Sequence, residues 1–200
     1  DRQLLDFLDS QKLTQPVALV GVSMGGAIVV NFLDRHPERV KCLCLFAPAG
    51  FPVHEPLKYR ALKAPLLGDW LLAAFGDRTL SDVTLRMGLP PAQAEEYKAR
   101  FKEQMQFKGF KSAILDSLRH YPLTTSAEVY ARAGQHHPPA CLFWGDKDHV
   151  LPFAHNELVQ KAFPGIEFHP IPGGGHTVNY ETPDAVNAEL AAFRKKNDTL

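Results

Sequence analysis

The chain has 200 residues, of which 45% are hydrophobic and 22% charged, and these values exclude a disordered or fibrous protein. Its 22 Lys and Arg residues balance its 22 Asp and Glu residues, so no basic excess indicates a nucleic-acid partner. The longest apolar runs, Val17–Val22 and Cys42–Ala47, are far shorter than the roughly 18 residues that a membrane span requires.

The first fifty residues alternate between helix and strand. Leucines at helical spacing predict a helix over residues 1–13, which ends before Pro16. The apolar runs at 17–22 and 40–46 predict two strands buried on both faces, with a helix over 25–36 between them. This order, with its short links, predicts an α/β fold with a parallel sheet.

Residues 51–139 interrupt this alternation, because no buried strand is predicted among them. They carry 12 Lys and Arg against 9 Asp and Glu, and helical segments are predicted at 57–75, 91–107 and 110–120. The alternation then returns with a strand at 140–144, a helix at 153–163, a strand at 166–171 and a helix at 183–194. We therefore expect a core domain of residues 1–50 and 140–200, with residues 51–139 inserted as a helical cap over the strand ends.

The three cysteines, Cys42, Cys44 and Cys141, all fall within predicted strands. An odd number does not build a disulfide framework, and Cys-Leu-Cys lacks the two-residue spacer of zinc or thioredoxin-type pairs. We expect these side chains to behave as small buried hydrophobic groups. Their use as thiols predicts a reducing compartment and hence a cytoplasmic location.

Ser23 is the strongest candidate for a nucleophile. It lies in Gly21-Val22-Ser23-Met24-Gly25-Gly26, between a predicted strand and a predicted helix. A side chain on such a sharp turn has a strained backbone, and Gly21, Gly25 and Gly26 would provide small neighbours. The position at a helix N-terminus favours negative charge, and the N–H of Met24 would be one donor to an oxyanion. The alternative is an ordinary tight turn between strand and helix.

A reactive serine needs a base, which in turn needs an acid to orient it. Among the nine histidines, His176 follows Gly173-Gly174-Gly175 after a predicted strand, so the backbone can turn sharply toward the serine. His149 and His155 also follow a strand end, but their neighbours would not hold a ring rigidly. His176 is therefore the predicted base.

The acid is expected in the loop that follows the strand at 140–144. Asp146 comes directly after Gly145 and suits a residue that closes the turn, whereas Asp148 is deeper in the loop and freer to reach across it. This local chemistry favours Asp148 and leaves Asp146 open. If both were only turn residues, His176 would have no orienting partner.

Together, Gly21–Gly26, then Gly145-x-x-Asp148-x-x-x-Pro152, then Gly174-Gly175-His176 resemble the α/β-hydrolase superfamily. The resemblance is strongest to its capped branch of carboxylesterases, monoacylglycerol lipases and meta-cleavage-product hydrolases, and it extends from the first helix to the last. It implies a triad of Ser23, Asp148 and His176, which favours Asp148 over Asp146. It also implies a mostly parallel sheet with helices on both faces and a helical cap. This chemistry needs no metal or organic cofactor.

The chain departs from the family pattern on its N-terminal side. Family members carry about four further strands there, with a loop that supplies the second oxyanion-hole donor. In this chain the strand at 17–22 would form an exposed sheet edge. We therefore expect only the C-terminal part of the fold, completed by a missing N-terminal segment or by a partner chain, as in a homodimer.

The resulting hypothesis is a serine hydrolase that cleaves a carboxylic ester of a small-molecule acyl substrate through an acyl-enzyme. One alternative is a C–C bond hydrolase that acts on meta-cleavage-type diketo acids with the same triad. The other is a non-catalytic ligand-binding protein on a hydrolase scaffold. Candidates for an apolar acyl pocket, unless they pack the cap's own core, are Trp70, Phe75, Met87 and Phe107.

Overall fold

The computed structural model describes residues 2–54, 57–84 and 87–197. The chain forms two compact units, one made of residues 1–52 and 123–200 and the other of residues 53–122. The second unit is shorter than the cap expected at 51–139. Residues 123–139 fall in the first unit, because their helix packs on helices of that unit.

The first unit contains a four-stranded, fully parallel sheet with the order β1-β2-β3-β4. The strands are β1 (Val17–Val22), β2 (Val40–Phe46), β3 (Ala140–Gly145) and β4 (Glu167–Ile171). The helices of this unit are α1 (Arg2–Ser10), α2 (Met24–Arg35), α7 (Ala127–Gly134), α8 (His155–Ala162), α9 (Val178–Glu181) and α10 (Pro183–Asn197). Those of the second unit are α3 (Leu57–Lys63), α4 (Leu67–Thr84), α5 (Pro91–Gln104) and α6 (Phe110–His120). The α/β fold and its strands are confirmed.

Two apolar clusters cover the two faces of this sheet. One joins the leucines of β2 to helices α1, α2, α7 and α8, with Phe32, Tyr130 and Val159 fully buried. The other joins the alternate residues of the central strands to α9 and α10, through Val178 and Phe193. Both central strands are therefore apolar on both faces, as the uninterrupted hydrophobic runs predict.

Strand β1 is an edge of the sheet, as expected from the sequence. Among the residues that the structure describes, its one strand partner is β2, and Val20 exposes 60% of its surface. An open, apolar edge of a parallel sheet offers unpaired backbone groups to another strand.

The second unit has a small core of Leu62, Leu72 and Leu115. Arg119 of α6 binds both carboxylate oxygens of Asp69 at 3.0 Å and also donates to the carbonyls of Lys63 and Ala64. The helix predicted at 57–75 is in fact two helices. The break spans residues 64–66 and contains Pro65, and Leu66 adopts a φ of 64°, which an α-helix cannot include.

None of the helices over residues 2–54, 57–84 and 87–197 is both long and apolar enough to cross a membrane.

The thiols of Cys42, Cys44 and Cys141 lie on one face of the central strands, buried and without a disulfide. Cys44 lies opposite Cys141 in the β2–β3 register. A hydrogen bond with Cys141, together with burial, raises the pKa of Cys44 to about 12. We expect no Cys44 thiolate at neutral pH, because the thiol form is favoured by this environment.

Thiol modification tests this environment. In the native protein all three cysteines should resist Ellman's reagent at pH 8, and all three should react in denaturant. Mass spectrometry of the modified peptides would locate each adduct. Rapid stoichiometric modification of Cys44 in the folded chain would contradict the buried arrangement.

Candidate active site

Ser23 occupies a strained turn between β1 and α2. Its φ of 52° and ψ of −119° are unfavourable for a residue with a side chain, and its hydroxyl does not cap α2. Two backbone hydrogen bonds hold the turn. Ser23 N–H donates to the carbonyl of Phe46, the last residue of β2, and the Ser23 carbonyl accepts from the N–H of Ala49 in the loop after β2, both at 2.9 Å. This geometry leaves Oγ available for chemistry.

Two of the three expected glycines are required by close packing. A Cβ on Gly21 would lie 2.5 Å from the Gly25 carbonyl oxygen, and one on Gly26 would lie 2.5 Å from Cβ of Pro48. Gly25 differs, because a Cβ there would meet no atom of the described residues within 4 Å. The expectation that Gly25 must be small for packing is therefore not supported within this part of the chain.

Asp148 and His176 form a buried hydrogen-bonded pair. His176 Nδ1 lies 2.8 Å from Asp148 Oδ2, and the two side chains expose 3% and 0% of their surfaces. The same Oδ2 accepts the Trp144 indole N–H at 3.1 Å, while Oδ1 accepts the backbone N–H groups of Val150 at 2.7 Å and Leu151 at 2.9 Å. The carboxylate thus has four donors, which compensate for its removal from water.

Asp146 and Asp148 have different surroundings, and this difference decides which of the two carboxylates contacts the histidine, a question that the local sequence left open. It is exposed, and its Oδ1 accepts the N–H of Gly173 at 2.7 Å. Lys147 N–H donates to the Gly174 carbonyl at 2.9 Å. Asp146 therefore ties the loop after β3 to the loop after β4, and Asp148 is the carboxylate that contacts the histidine.

The loop that carries His176 crosses the end of β3 in close backbone contact. A Cβ on Gly145 would lie 2.2 Å from the Gly174 carbonyl oxygen and 2.3 Å from that of Gly175, so only glycine fits there. Beyond the crossing, Val178 packs in the same apolar cluster as Phe46 of β2 and Val22 of β1. The chain therefore returns from β4 toward β1, the strand that Ser23 follows.

The loop is not extended along this path. It turns where Gly174 N–H donates to the Ile171 carbonyl at 3.1 Å and where Gly173 adopts a φ of 75°. The turn brings the imidazole of His176 to Asp148, in the loop after β3.

His155, the other histidine near this loop, has a structural environment. Its ring contacts those of Phe51 and Trp144, at centroid distances of 5.8 and 6.5 Å. Burial lowers its pKa, and this effect outweighs a hydrogen bond with the backbone of Pro52 and the charge of Asp148. His155 thus buttresses Trp144, whose indole donates to Asp148. His149 is exposed.

The sequence did not identify Trp144 as a site residue, because it reads as part of an apolar strand. Its ring is fully buried, and its N–H is the polar group that reaches Asp148. The signal available in the sequence was the four-residue spacing from Trp144 to Asp148, across the turn that ends the strand.

The four candidates for an apolar acyl pocket, three aromatic residues and one methionine, all belong to the second unit. Trp70, Phe75 and Phe107 expose 61, 53 and 66% of their surfaces, so they do not form that unit's core, and Met87 is half-buried. Phe107 lines an open groove of about 370 Å³ beside Leu72 and Met105. Among the described residues, no group of three His, Cys, Asp or Glu side chains is arranged to hold a metal ion.

Substitution of the two aspartates should affect stability very differently. In Asp148→Asn the amide NH₂ would point at other hydrogen-bond donors in either orientation. It would face the N–H groups of Trp144 and His176, or the backbone N–H groups of Val150 and Leu151. We therefore expect the unfolding free energy to fall by about 3 kcal/mol. In Asp146→Asn one oxygen remains to accept from Gly173, and we expect less than about 1 kcal/mol. Urea unfolding followed by circular dichroism measures both. Equal losses would argue against the four-donor network.

Acid should weaken the fold through His155. Because its pKa is lowered in the folded state, the unfolded chain binds the proton more readily as the pH falls below about 6.5. The contribution of neutral His155 is thus complete above that pH and is lost as the pH falls toward the folded pKa. His155→Gln should flatten the decline of unfolding free energy between pH 7.5 and 5.5, measured by urea titration at each pH. An unchanged slope would contradict the burial effect.

Known proteins match the chain over most of its length. A family model for the alpha/beta hydrolase fold matches residues 1–183. The dihydrolipoyllysine-residue acetyltransferase component of the acetoin cleaving system of Pseudomonas putida is 28% identical, over 97% of this chain and 48% of that protein. Lipase 1 of Psychrobacter immobilis is 27% identical, over 96% of this chain and 60% of that protein. The chain thus spans about half to three-fifths of the length of these relatives.

A solved structure shares the fold at low identity. The meta-cleavage product hydrolase of Pseudomonas fluorescens superimposes with a TM-score of 0.75 at 16% identity, covering 96% of this chain and 69% of that one. The parallel sheet, the strained serine turn after β1 and the family match over residues 1–183 agree with one another, and the chain belongs to the α/β-hydrolase fold family.

Proposed function

We propose that the protein is a serine hydrolase of carboxylic esters, with Ser23 as nucleophile, His176 as base and Asp148 as the acid that orients it. The observation that carries this proposal is the buried 2.8 Å hydrogen bond between Asp148 and His176. A buried acid–base pair on a loop directed toward a strained serine turn is the arrangement that serine activation needs.

The Asp148 contact determines which nitrogen of His176 carries the proton. An ionised carboxylate can only accept hydrogen bonds, so Nδ1 donates and Nε2 is left as the acceptor in the neutral ring. Nε2 is then free to take the Ser23 proton as Oγ attacks the carbonyl carbon of the ester. The imidazolium that forms is stabilised by the Asp148 carboxylate, which the indole N–H of Trp144 and the backbone N–H groups of Val150 and Leu151 hold in place.

The reaction then proceeds through an acyl-enzyme. Collapse of the tetrahedral intermediate breaks the ester C–O bond, and His176 returns its proton to the departing alkoxide oxygen. Water, deprotonated by the same nitrogen, attacks the acyl carbon, and the carboxylic acid leaves as the Ser23 hydroxyl is restored. The net change is one water consumed for one ester cleaved.

Met24 supplies one donor to the developing oxyanion in this proposal. Its N–H lies at the first residue of α2, where the helix offers no acceptor to it and the helix dipole favours negative charge. We assign the second donor to a segment that pairs with the open edge of β1, the edge at which Val20 is exposed.

The ester bond is favoured over other acyl bonds by the similarity to a lipase. The likeness to the C–C bond hydrolase is at 16% identity and supports the common fold alone. The exposed aromatic side chains of the second unit and the half-buried Met87 would suit an apolar acyl group. That this unit covers the serine remains a prediction.

Labelling with a fluorophosphonate probe tests the proposed nucleophile. We expect a single adduct on Ser23, located by peptide mass spectrometry, and none in Ser23→Ala. His176→Gln should slow labelling by at least about 10³-fold, because the serine loses its base. His149→Gln is the matched control, since this exposed histidine lies beside Asp148, and it should label at the wild-type rate.

Turnover of p-nitrophenyl esters separates the remaining functions. A labelled protein that cleaves meta-cleavage-type diketo acids and no ester would favour C–C hydrolysis, and an unlabelled protein that binds ligand would favour the non-catalytic alternative. Labelling that accelerates about 10²-fold in a form with residues upstream of Asp1 would support the second oxyanion donor assigned to the β1 edge.

A further inference from the structure

Glu181 binds the backbone on both sides of His176. Its Oε2 accepts the N–H of Gly175 at 2.5 Å, and its Oε1 accepts the N–H of Thr177 at 2.8 Å and the Thr177 hydroxyl at 3.1 Å. One carboxylate therefore holds the residue before and the residue after the histidine. Glu181 is the last residue of α9, and neither the sequence motifs nor the proposed mechanism uses it.

The loop needs such a tie because its own sequence cannot hold it in place. Three consecutive glycines precede His176, and Gly173 adopts a φ of 75°. Glycine loses more conformational freedom on folding than any other residue, so this segment is flexible unless other groups fix it. Asp146 fixes Gly173 at the start of the loop, and Glu181 fixes the part that contains the histidine.

We propose that Glu181 is a positioning residue that sets the imidazole of His176 against Asp148, an inference that rests on the proposed function. With the N–H groups of residues 175 and 177 both held, the peptide planes on either side of His176 are fixed, and so is the direction of its Cα–Cβ bond. Hydrogen bonds from N–H groups to an ionised carboxylate are about twice as strong as neutral ones.

A simple helix cap does not account for these contacts. Thr177 precedes α9, and a Glu side chain that returns to the N–H of this position resembles a capping box. The contact with Gly175 lies outside that motif, two residues before the cap and on the other side of His176. A residue that served the helix alone would have no need of it.

The variants differ in how many of the contacts survive. Glu181→Ala removes all three, and Glu181→Gln keeps one oxygen, which can accept from one side of His176 and not from both. Thr182→Val is the matched control for stability, because it removes the hydrogen bond from the hydroxyl of Thr182, the residue that follows α9, to the Val178 carbonyl of that helix. Glu189→Gln controls for loss of a carboxylate, since Glu189 pairs with His169 on the outer strand.

The direct measurement is the NMR signal of the His176 Nδ1 proton in ¹⁵N-histidine-labelled protein, which reports its hydrogen bond to Asp148. We expect this signal to be lost or exchange-broadened in Glu181→Ala and weakened in Glu181→Gln. Both control variants should keep it. Ser23 labelling should slow about 10²-fold in Glu181→Ala and less in Glu181→Gln, after correction for the folded fraction.

The two readouts distinguish failure of this inference from failure of the proposed function. A wild-type protein that shows the His176 signal and is never labelled on Ser23 would argue against the serine hydrolase, while the signal in the variants would still decide the role of Glu181. A His176 signal and a labelling rate that remain at wild-type values in Glu181→Ala would overturn the inference. If Glu181→Ala does not fold, Glu181→Gln decides the same question.

Discussion

The hydrogen bond between Asp148 and His176 depends on more of the chain than any other contact at the proposed site. Asp148 receives donors from the end of β3 and from the two residues after the turn, while His176 comes from the neighbouring strand through a glycine loop. The two loops can meet only because Gly145 has no side chain at their crossing. A buried carboxylate without these partners would carry a large desolvation cost, so the network must form as a whole.

Three carboxylates near this edge of the sheet have three different tasks, which follow from their surroundings. Asp148 is buried and binds an imidazole, whereas Asp146 is exposed and binds only a backbone N–H of the opposite loop. Glu181 binds backbone groups on either side of the histidine. The glycines let the loop cross β3, and Asp146 and Glu181 then remove the freedom that the glycines bring. Glycines thus allow the two loops to approach closely, and the carboxylates of Asp146 and Glu181 make the histidine loop rigid.

The sequence predicts those parts of the site that depend on local order. Ser23, Asp148 and His176 each follow a predicted strand and lie within three residues of a glycine, and parallel strands bring their carboxyl ends to one edge. Local chemistry favoured Asp148 without excluding Asp146, and the resemblance strengthened that choice. Both residues suit a turn, and the three-dimensional path of the β4 loop is what distinguishes them. Trp144 was hidden within an apolar run, and Glu181 within a helix of four residues. Both side chains bind either a residue four positions away or backbone groups. Such contacts produce no periodic pattern in the sequence from which they could be predicted.

The proposed nucleophile is held by a different part of the fold from the proposed acid–base pair. Ser23 is held by backbone hydrogen bonds to the end of β2 and to the loop that follows it. Tyr130 holds that loop by donating to the Ala49 carbonyl at 2.6 Å. The acid–base pair is fixed by β3, β4 and α9. What connects the two is the register of the central strands, with Phe46 beside Phe143, and the apolar cluster in which Val22 and Val178 both take part. The buried cysteines of β2 and β3 lie in that cluster. Because protein interiors are close-packed, we expect a change in side-chain volume there to shift the proposed base relative to the proposed nucleophile even though it touches neither.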